Sequence, residues 1–311
     1  MVKKRKMIII SLIVIALVVV VASPFLNGAQ PGRDPERVGE DRVVVIRLAG
    51  TIQESAGGLL AAGISPDLVY NRLERARKDA TIEGVVLRIE SPGGSIAASQ
   101  SIASMVRDFE KPIVVSMADM TASGGYYISA PAQGIIAHPG TMTGSIGVIS
   151  NLMNLEGLYE KLGIELESIT SGEHKGMFTR ELTDEERELL QDISDEAYHQ
   201  FITDVAEGRN MDIEEVRELA TGELFLGTQA LELGLVDELG GIQTAIDYLA
   251  EENNLDEPVR YEYPEPPFFS QFFGFGYSLL DSLERALVDP EVIMLEKLRE
   301  GVPPDIRYQV R

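Results

Sequence analysis

The sequence predicts an α/β domain with a mostly parallel sheet, preceded by one transmembrane helix at the N-terminus. Three observations carry this. From residue 42 onward, short runs rich in Val and Ile alternate with stretches of helical periodicity, the pattern of strands joined by helical crossovers. Ahead of them, residues 7–26 ("MIIISLIVIALVVVVASPFL") carry no charge, and about twenty apolar residues span a bilayer as a helix. Further on, "TDEERELLQDISDEAYHQFITDVAEGR" opens with a Thr183/Glu186 capping box and continues with an apolar stripe: Leu189, Leu190, Ile193, Ala197, Phe201 and Val205.

The elements follow in order. Residues 1–6 ("MVKKRK") form a basic cluster that stays cytoplasmic, so everything after residue 26 lies outside. Ala22-Ser23 is a candidate cleavage point, but Pro24 hinders processing there, and we read the segment as an uncleaved, single-pass anchor. Residues 27–41, polar and carrying Pro and Gly, form a linker. "RVVVIRLAGTI" is a first strand. "SPDLVYNRLERARKD" is a helix capped by Ser65, with Leu68, Leu73 and Ala76 on its apolar face. "IEGVVLRIE" is a strand, "SPGGS" a sharp turn, "IAASQSIASMVRDFE" a helix and "KPIVVSMAD" a strand. "SGGYYISAPA" opens another helix. "GIIAHP", "GSIGVIS" and "IELESIT" read as further short strands, with "LMNLEGLYEKLG" a helix among them. Two more helices bracket "LFLG" and "LVDELGG" and carry the domain, residues 42–252, to its end. Residues 253–311 form an aromatic extension, suited to a neighbouring subunit, the membrane or an edge of the same domain.

Composition excludes several classes. The 311-residue chain carries a formal charge of −23, which argues against a nucleic-acid partner. With no cysteine there is no thiol nucleophile, disulfide or thiolate metal site.

Two glycine-rich turns draw attention. "ESPGGS" follows a strand and opens a helix, where N–H groups can face negative charge. It contains neither phosphate-binding glycine pattern. "TASGGYY" also follows a strand and opens a helix, which puts Ser123 at the carboxyl edge of the same sheet, near Gly93 and Gly94. On residues alone, Ser123 is either a helix cap or a nucleophile. A nucleophile needs a base. His138, His174 and His199 have no spacing that supports a triad, and Lys175 in "SGEHKGMF" is one candidate among several lysines. Tyr126, Tyr127 and Ile128 fit either a groove lining or the core.

"LRIESPGGS", "MTASGGYYISAPA", "GTMTGSIGVIS" and "SGEHKGMFTRELTDEER", in that order, resemble the short single-repeat form of signal peptide peptidase A. These are membrane-anchored Ser-Lys peptidases of family S49, with a fold like that of the Clp protease and the crotonases. The resemblance covers about residues 42–250. It implies repeated β-β-α units and a serine endopeptidase that needs neither metal nor cofactor. It implies Ser123 as nucleophile, Lys175 as general base fifty-two residues later, Ser145 as the group that orients Lys175, and Gly94 and Gly124 as oxyanion donors. Glu90 departs from the family's usual asparagine before "SPGG" and brings a carboxylate toward the oxyanion side. The role given to Lys175 requires a neutral amine, so activity is expected to rise toward alkaline pH.

Double-length members of the family draw serine and lysine from different halves. A single-length chain is therefore expected to assemble, as an octameric ring with shared sites, at the outer face of the membrane. Its expected substrates are hydrophobic peptides such as signal-peptide remnants. Three rival readings stand beside this: a stomatin-associated (NfeD-type) membrane protease, an acyl-CoA enzyme of crotonase type, and a non-catalytic anchored scaffold.

Overall fold

A computed structural model of the chain describes residues 41–55, 63–164 and 167–263. The anchor segment 7–26, the linker up to residue 40 and the extension from residue 264 lie outside the described residues. Among the described residues, no helix is long and apolar enough to cross a membrane.

The protein is a mixed α/β domain built on a mostly parallel sheet. Four strands make its centre: β1 (Arg42–Ala49), β4 (Ile82–Ser91), β5 (Ile113–Ala122) and β6 (Gly134–Ala137), all parallel and adjacent in that order. β9 (Glu238–Leu239) continues the sheet beyond β6, and β10 (Val259–Tyr261) pairs with β1 at the other edge. The sheet thus takes in residues beyond 252. A side ladder, β7 (Met142–Gly144) and β8 (Leu224–Leu226), branches from the upper end of β5. β2 (Thr51–Ile52) and β3 (Gly63–Ile64) form a separate two-stranded ribbon.

The strands are buried on both faces, which explains their near-continuous Val/Ile runs. Side chains alternate across the sheet. Val44, Ile46 and Leu48 of β1, with Val85, Leu87 and Ile89 of β4, enter the larger core. Val43, Val45 and Val86 face the smaller one, closed by Ala245, Ile246 and Leu249 of a late helix, α8 (Ile242–Asn253). The larger core is covered by α1 (Pro66–Lys78), α2 (Ile96–Arg107), α3 (Gly124–Ser129) and the C-terminal half of α5 (Asp184–Arg209).

Several expectations hold and some need correction. Ser65 caps α1, its hydroxyl accepting from Leu68 N–H at 3.2 Å. The buried face of α1 is Val69, Leu73 and Ala76, so Leu68 belongs one residue off the stripe. "RVVVIRLAGTI" is two strands, because Gly50, at φ 104°, breaks the chain between β1 and β2. "GSIGVIS" is not a strand: β7 covers residues 142–144, and positive φ at Gly144 and Ser145 turns the chain out of the sheet. Residues 167–170 of "IELESIT" have no regular structure either. The helix in "LMNLEGLYEKLG" is shorter than expected, α4 (Glu156–Leu162). α6 (Ile213–Leu219) and α7 (Gly227–Glu232) flank β8 as anticipated.

One helix departs instructively from its stripe. In α5, Phe201, Ile202 and Val205 are buried, whereas Leu189 and Ile193 remain 38 % and 65 % exposed. The N-terminal half of the helix leaves part of its apolar face exposed among the described residues.

Candidate active site

Ser123 stands between β5 and α3, at the carboxyl edge of the sheet. Its backbone sits at φ 52°, ψ −121°, a left-handed conformation that is costly for a residue with a side chain. Its N–H donates to Gly144 O at 2.8 Å, and Tyr127 N–H donates to its carbonyl at 2.9 Å. The serine is thereby pinned from both sides. Although it occupies the N-cap position of α3, its side chain makes no capping hydrogen bond. A serine placed only to cap a helix would do so from extended backbone with its oxygen on an N–H. Here the sharp strand-to-helix turn instead leaves the hydroxyl free, the local geometry of a nucleophile held on a strained elbow.

The "SPGG" turn lies against this serine. A Cβ at Gly93 would sit 2.8 Å from Ser123 Cβ, so only glycine lets the two turns meet. Gly94 forms a parallel bridge with Ile52 in which Ile52 supplies both groups: its N–H donates to Gly93 O (2.9 Å) and its carbonyl accepts from Ser95 N–H (2.8 Å). In a parallel ladder that leaves the N–H of Gly94 on the opposite side. That side faces the start of α3, where a Cβ on Gly124 would come within 3.2 Å of Gly94 N. Gly124 N–H is a first-turn donor with no intrahelical acceptor. The backbone nitrogens of Gly94 and Gly124 therefore lie close together beside Ser123.

A register shift between β4 and β5 makes this edge. Ile89 pairs with Met117, but Ser91 pairs with Thr121, so two extra residues bulge from β5. The carboxylate of Glu90 accepts from the N–H groups of Asp119 (2.7 Å) and Met120 (3.4 Å) in that bulge. Glu90 thus serves the backbone of the neighbouring strand, which accounts for a carboxylate where the resemblance implies an asparagine.

Ser123, Gly94, Gly124 and Ser145 all line one cavity of about 580 Å³. Ser145 follows β7, which pairs with the end of β5 through Ala122 and Gly144, and it too has positive φ, 49°. Ile96, Val148, Ile149, Ala197, Phe201 and Ala220 give the cavity apolar walls. Tyr127 lines it as well, its ring 4.6 Å from that of Phe201 and its hydroxyl donating to Asp204. Burial and the adjoining carboxylate push the Tyr127 phenol up. Tyr126 and Ile128 are wholly buried, with the Tyr126 hydroxyl donating to Leu235 O at 3.0 Å.

Sequence reading missed one wall. Gln191, Ser194, Asp195 and Tyr198 of α5 line the cavity at i, i+3, i+4 and i+7 spacing. A polar face at that spacing beside the apolar stripe was the available signal.

None of the three histidines lines the cavity, and neither does Lys175. Lys175 is exposed, in a run of turns from residue 171 to 180 ahead of α5. The first α5 residue on the cavity is Gln191, about 10 Å along the helix from Asp184. The lysine loop is anchored by Glu186, whose carboxylate accepts from Arg180 and from Thr183 N–H, and these partners hold it low, at about 2. Within one chain, Ser123, Ser145, Gly94 and Gly124 come together and Lys175 does not join them.

Around that loop the surface is unusually apolar. Of the eighteen exposed large hydrophobic residues among the described residues, eleven lie between Ile149 and Ile193, including Met153 (80 % exposed), Ile169 (97 %) and Phe178 (65 %). Apolar exposure on this scale marks a surface meant to be covered.

Residues 106–256 match the family model "Peptidase family S49". The chain is 38 % identical over 244 residues to a "Putative signal peptide peptidase SppA" of Enterococcus faecium, covering 76 % of this chain and 71 % of that one. It is 33 % identical over 302 residues to "Putative protease MJ0651" of Methanocaldococcus jannaschii, covering 94 % and 97 %. Among solved structures, the "1510-N membrane-bound stomatin-specific protease S97A mutant" aligns with a TM-score of 0.48 at 14 % identity, over 74 % of this chain and all of that one.

Proposed function

The chain belongs to peptidase family S49 and is a serine peptidase; from that premise we propose that Ser123 is its nucleophile and that Lys175 of a neighbouring copy is its general base. The observation that carries this reading is the strained, uncapped Ser123 in a cavity with the N–H groups of Gly94 and Gly124 beside it.

The chemistry follows from the groups present. A neutral Lys175 takes the proton of the Ser123 hydroxyl as the oxygen attacks a peptide carbonyl. Gly94 and Gly124 N–H stabilise the oxyanion, each worth roughly 3 kcal/mol in the transition state. Lys175 gives the proton to the leaving amine, then activates the water that releases the acyl-enzyme. Ser145, next to Ser123 in the cavity, receives the incoming amine and orients it. Apolar walls select peptides with apolar side chains, and hydrophobic fragments such as signal-peptide remnants fit that demand.

Assembly supplies the base. Lys175 sits on the apolar segment that one chain leaves uncovered, so docking that segment on the next copy buries it and carries the lysine to the next cavity. Repeating a head-to-tail contact of this kind closes into a ring, here taken to be an octamer. Residues 7–26 hold the ring at the membrane with its catalytic domains outside.

Labelling with a fluorophosphonate probe tests the reading. Wild-type protein is expected to take one adduct per chain, mapped to Ser123, while Ser123→Ala and Lys175→Ala take none on the same timescale. Equal labelling of Ser123→Ala, or full peptide cleavage by Lys175→Ala, would remove these residues from the mechanism.

A further inference from the structure

Glu186 does more than a helix-capping glutamate requires. In a capping box its side chain needs only to reach back to the N-cap N–H, and it does so, Oε2 accepting from Thr183 N at 3.0 Å. Yet the residue is 1 % exposed, and both carboxylate oxygens also accept from Arg180, Nη1 to Oε2 and Nη2 to Oε1, each at 2.7 Å. The Nδ1 of His174, buried and without a hydrogen-bond partner, lies 3.7 Å from Oε1. A buried carboxylate is costly unless matched by such partners. The side chains gathered on it come from the preceding loop, and in sequence they bracket Lys175: His174 immediately before it, Arg180 five residues after.

Among the described residues, the backbone of the loop closes only short turns, Lys175 N to Gly172 O (3.2 Å), Met177 N to His174 O (3.2 Å) and Thr179 N to Gly176 O (3.0 Å). A lysine on such a loop ranges widely, and freezing it at the moment of reaction would cost rate. We infer that Glu186 is a positioning residue for Lys175: by clamping Arg180 and lying against His174 it fixes both flanks of the lysine, so that each chain offers its neighbour a preformed arm. This rests on the reading of Lys175 as the proton acceptor supplied between copies.

The test uses full-length chains with different tags, co-expressed in pairs. One chain carries Ser123→Ala and donates Lys175; the other carries Lys175→Ala and donates Ser123. Glu186→Gln added to the lysine donor is expected to lower the kcat of the mixed assembly at least about tenfold, with KM little changed. The same change added to the serine donor should leave kcat where it was. Arg180→Gln, which keeps the Thr183/Glu186 cap and so the start of α5, should show the same asymmetry, and Arg180→Lys should recover part of the loss. The Arg180 pair decides the matter should the Glu186→Gln chain fail to assemble. Loss of equal size from either placement, or no loss from either, overturns the positioning role and leaves Ser123 and Lys175 untouched. Failure of the parent reading looks different: the unmodified Ser123→Ala and Lys175→Ala pair would then be inactive together, or Lys175→Ala active alone, and the inference would fall with it.

Discussion

Replacing Gly94 with alanine tests the oxyanion role proposed for its N–H. The added Cβ would lie 1.9 Å from Ile52 O and 2.7 Å from Ile52 N and C, all backbone atoms that no rotamer change can move. Ordinary contact begins near 3.5 Å, so the turn and β2 must part by roughly 1.5 Å. That movement works against the Ile52–Gly93 and Ser95–Ile52 hydrogen bonds, which clip the turn in place. The folding cost is that of a modest overpacking, about 1–3 kcal/mol, or a Tm lowered by several degrees in a domain of this size. The catalytic cost is larger. An N–H displaced by about an ångström loses most of its value to an oxyanion, which sets a fall in kcat of roughly 10²–10³. Because the lost interaction exists only in the transition state, kcat and kcat/KM should fall together while KM stays near its wild-type value. Steady-state cleavage of a fluorogenic apolar peptide gives both constants, with circular dichroism reporting the fold. A folded Gly94→Ala protein that keeps kcat within about threefold would refute the assignment of this N–H to the oxyanion.

Three further outcomes follow. Phe201→Ala removes a buried ring packed at a tilt against that of Tyr127 and should cost roughly 3–5 kcal/mol in urea unfolding, besides weakening selection for bulky apolar residues; a loss below 1 kcal/mol would contradict the packing described. Ile193→Asp changes an exposed position on α5 and should leave the melting temperature of the domain nearly unchanged while shifting light-scattering mass toward the monomer and abolishing cleavage. An intact assembly would place the interface elsewhere. The Glu186 carboxylate is held below its ordinary value of 4.5, at about 2, by Arg180 and by the N–H of Thr183. Its contribution is therefore fully present above pH 4.5 and lost as pH falls toward 2, so wild-type stability should drop more steeply through that window than that of Glu186→Gln; parallel curves would show that the clamp contributes nothing.

Much of the architecture was legible in the chain because burial on both faces of a parallel sheet leaves an unmistakable run of β-branched residues, as in β1 and β4. The Thr183/Glu186 cap was equally legible, since a capping box is local chemistry. Strand ends were not: whether residues 145–150 continue β7 depends on φ at Gly144 and Ser145, which tertiary contacts with Glu223 and Phe225 decide. Glu90 was opaque for the same reason, because its partners belong to a bulge in the next strand. At the site, Ser123, Gly94, Gly124 and Ser145 were all named from sequence and meet in one cavity. The α5 wall was overlooked because a helix bearing an apolar stripe reads as core, and Leu189 and Ile193 show that part of such a stripe can stay exposed on the chain.

The most direct test of the shared site is to mix two inactive proteins. Ser123→Ala and Lys175→Ala chains, co-expressed in equal amounts, should assemble and recover about a quarter of wild-type activity, the fraction of contacts in a head-to-tail ring that join an intact serine to an intact lysine. Each variant alone should stay inactive. Mixed assemblies that form and cleave no peptide would contradict a site completed between copies.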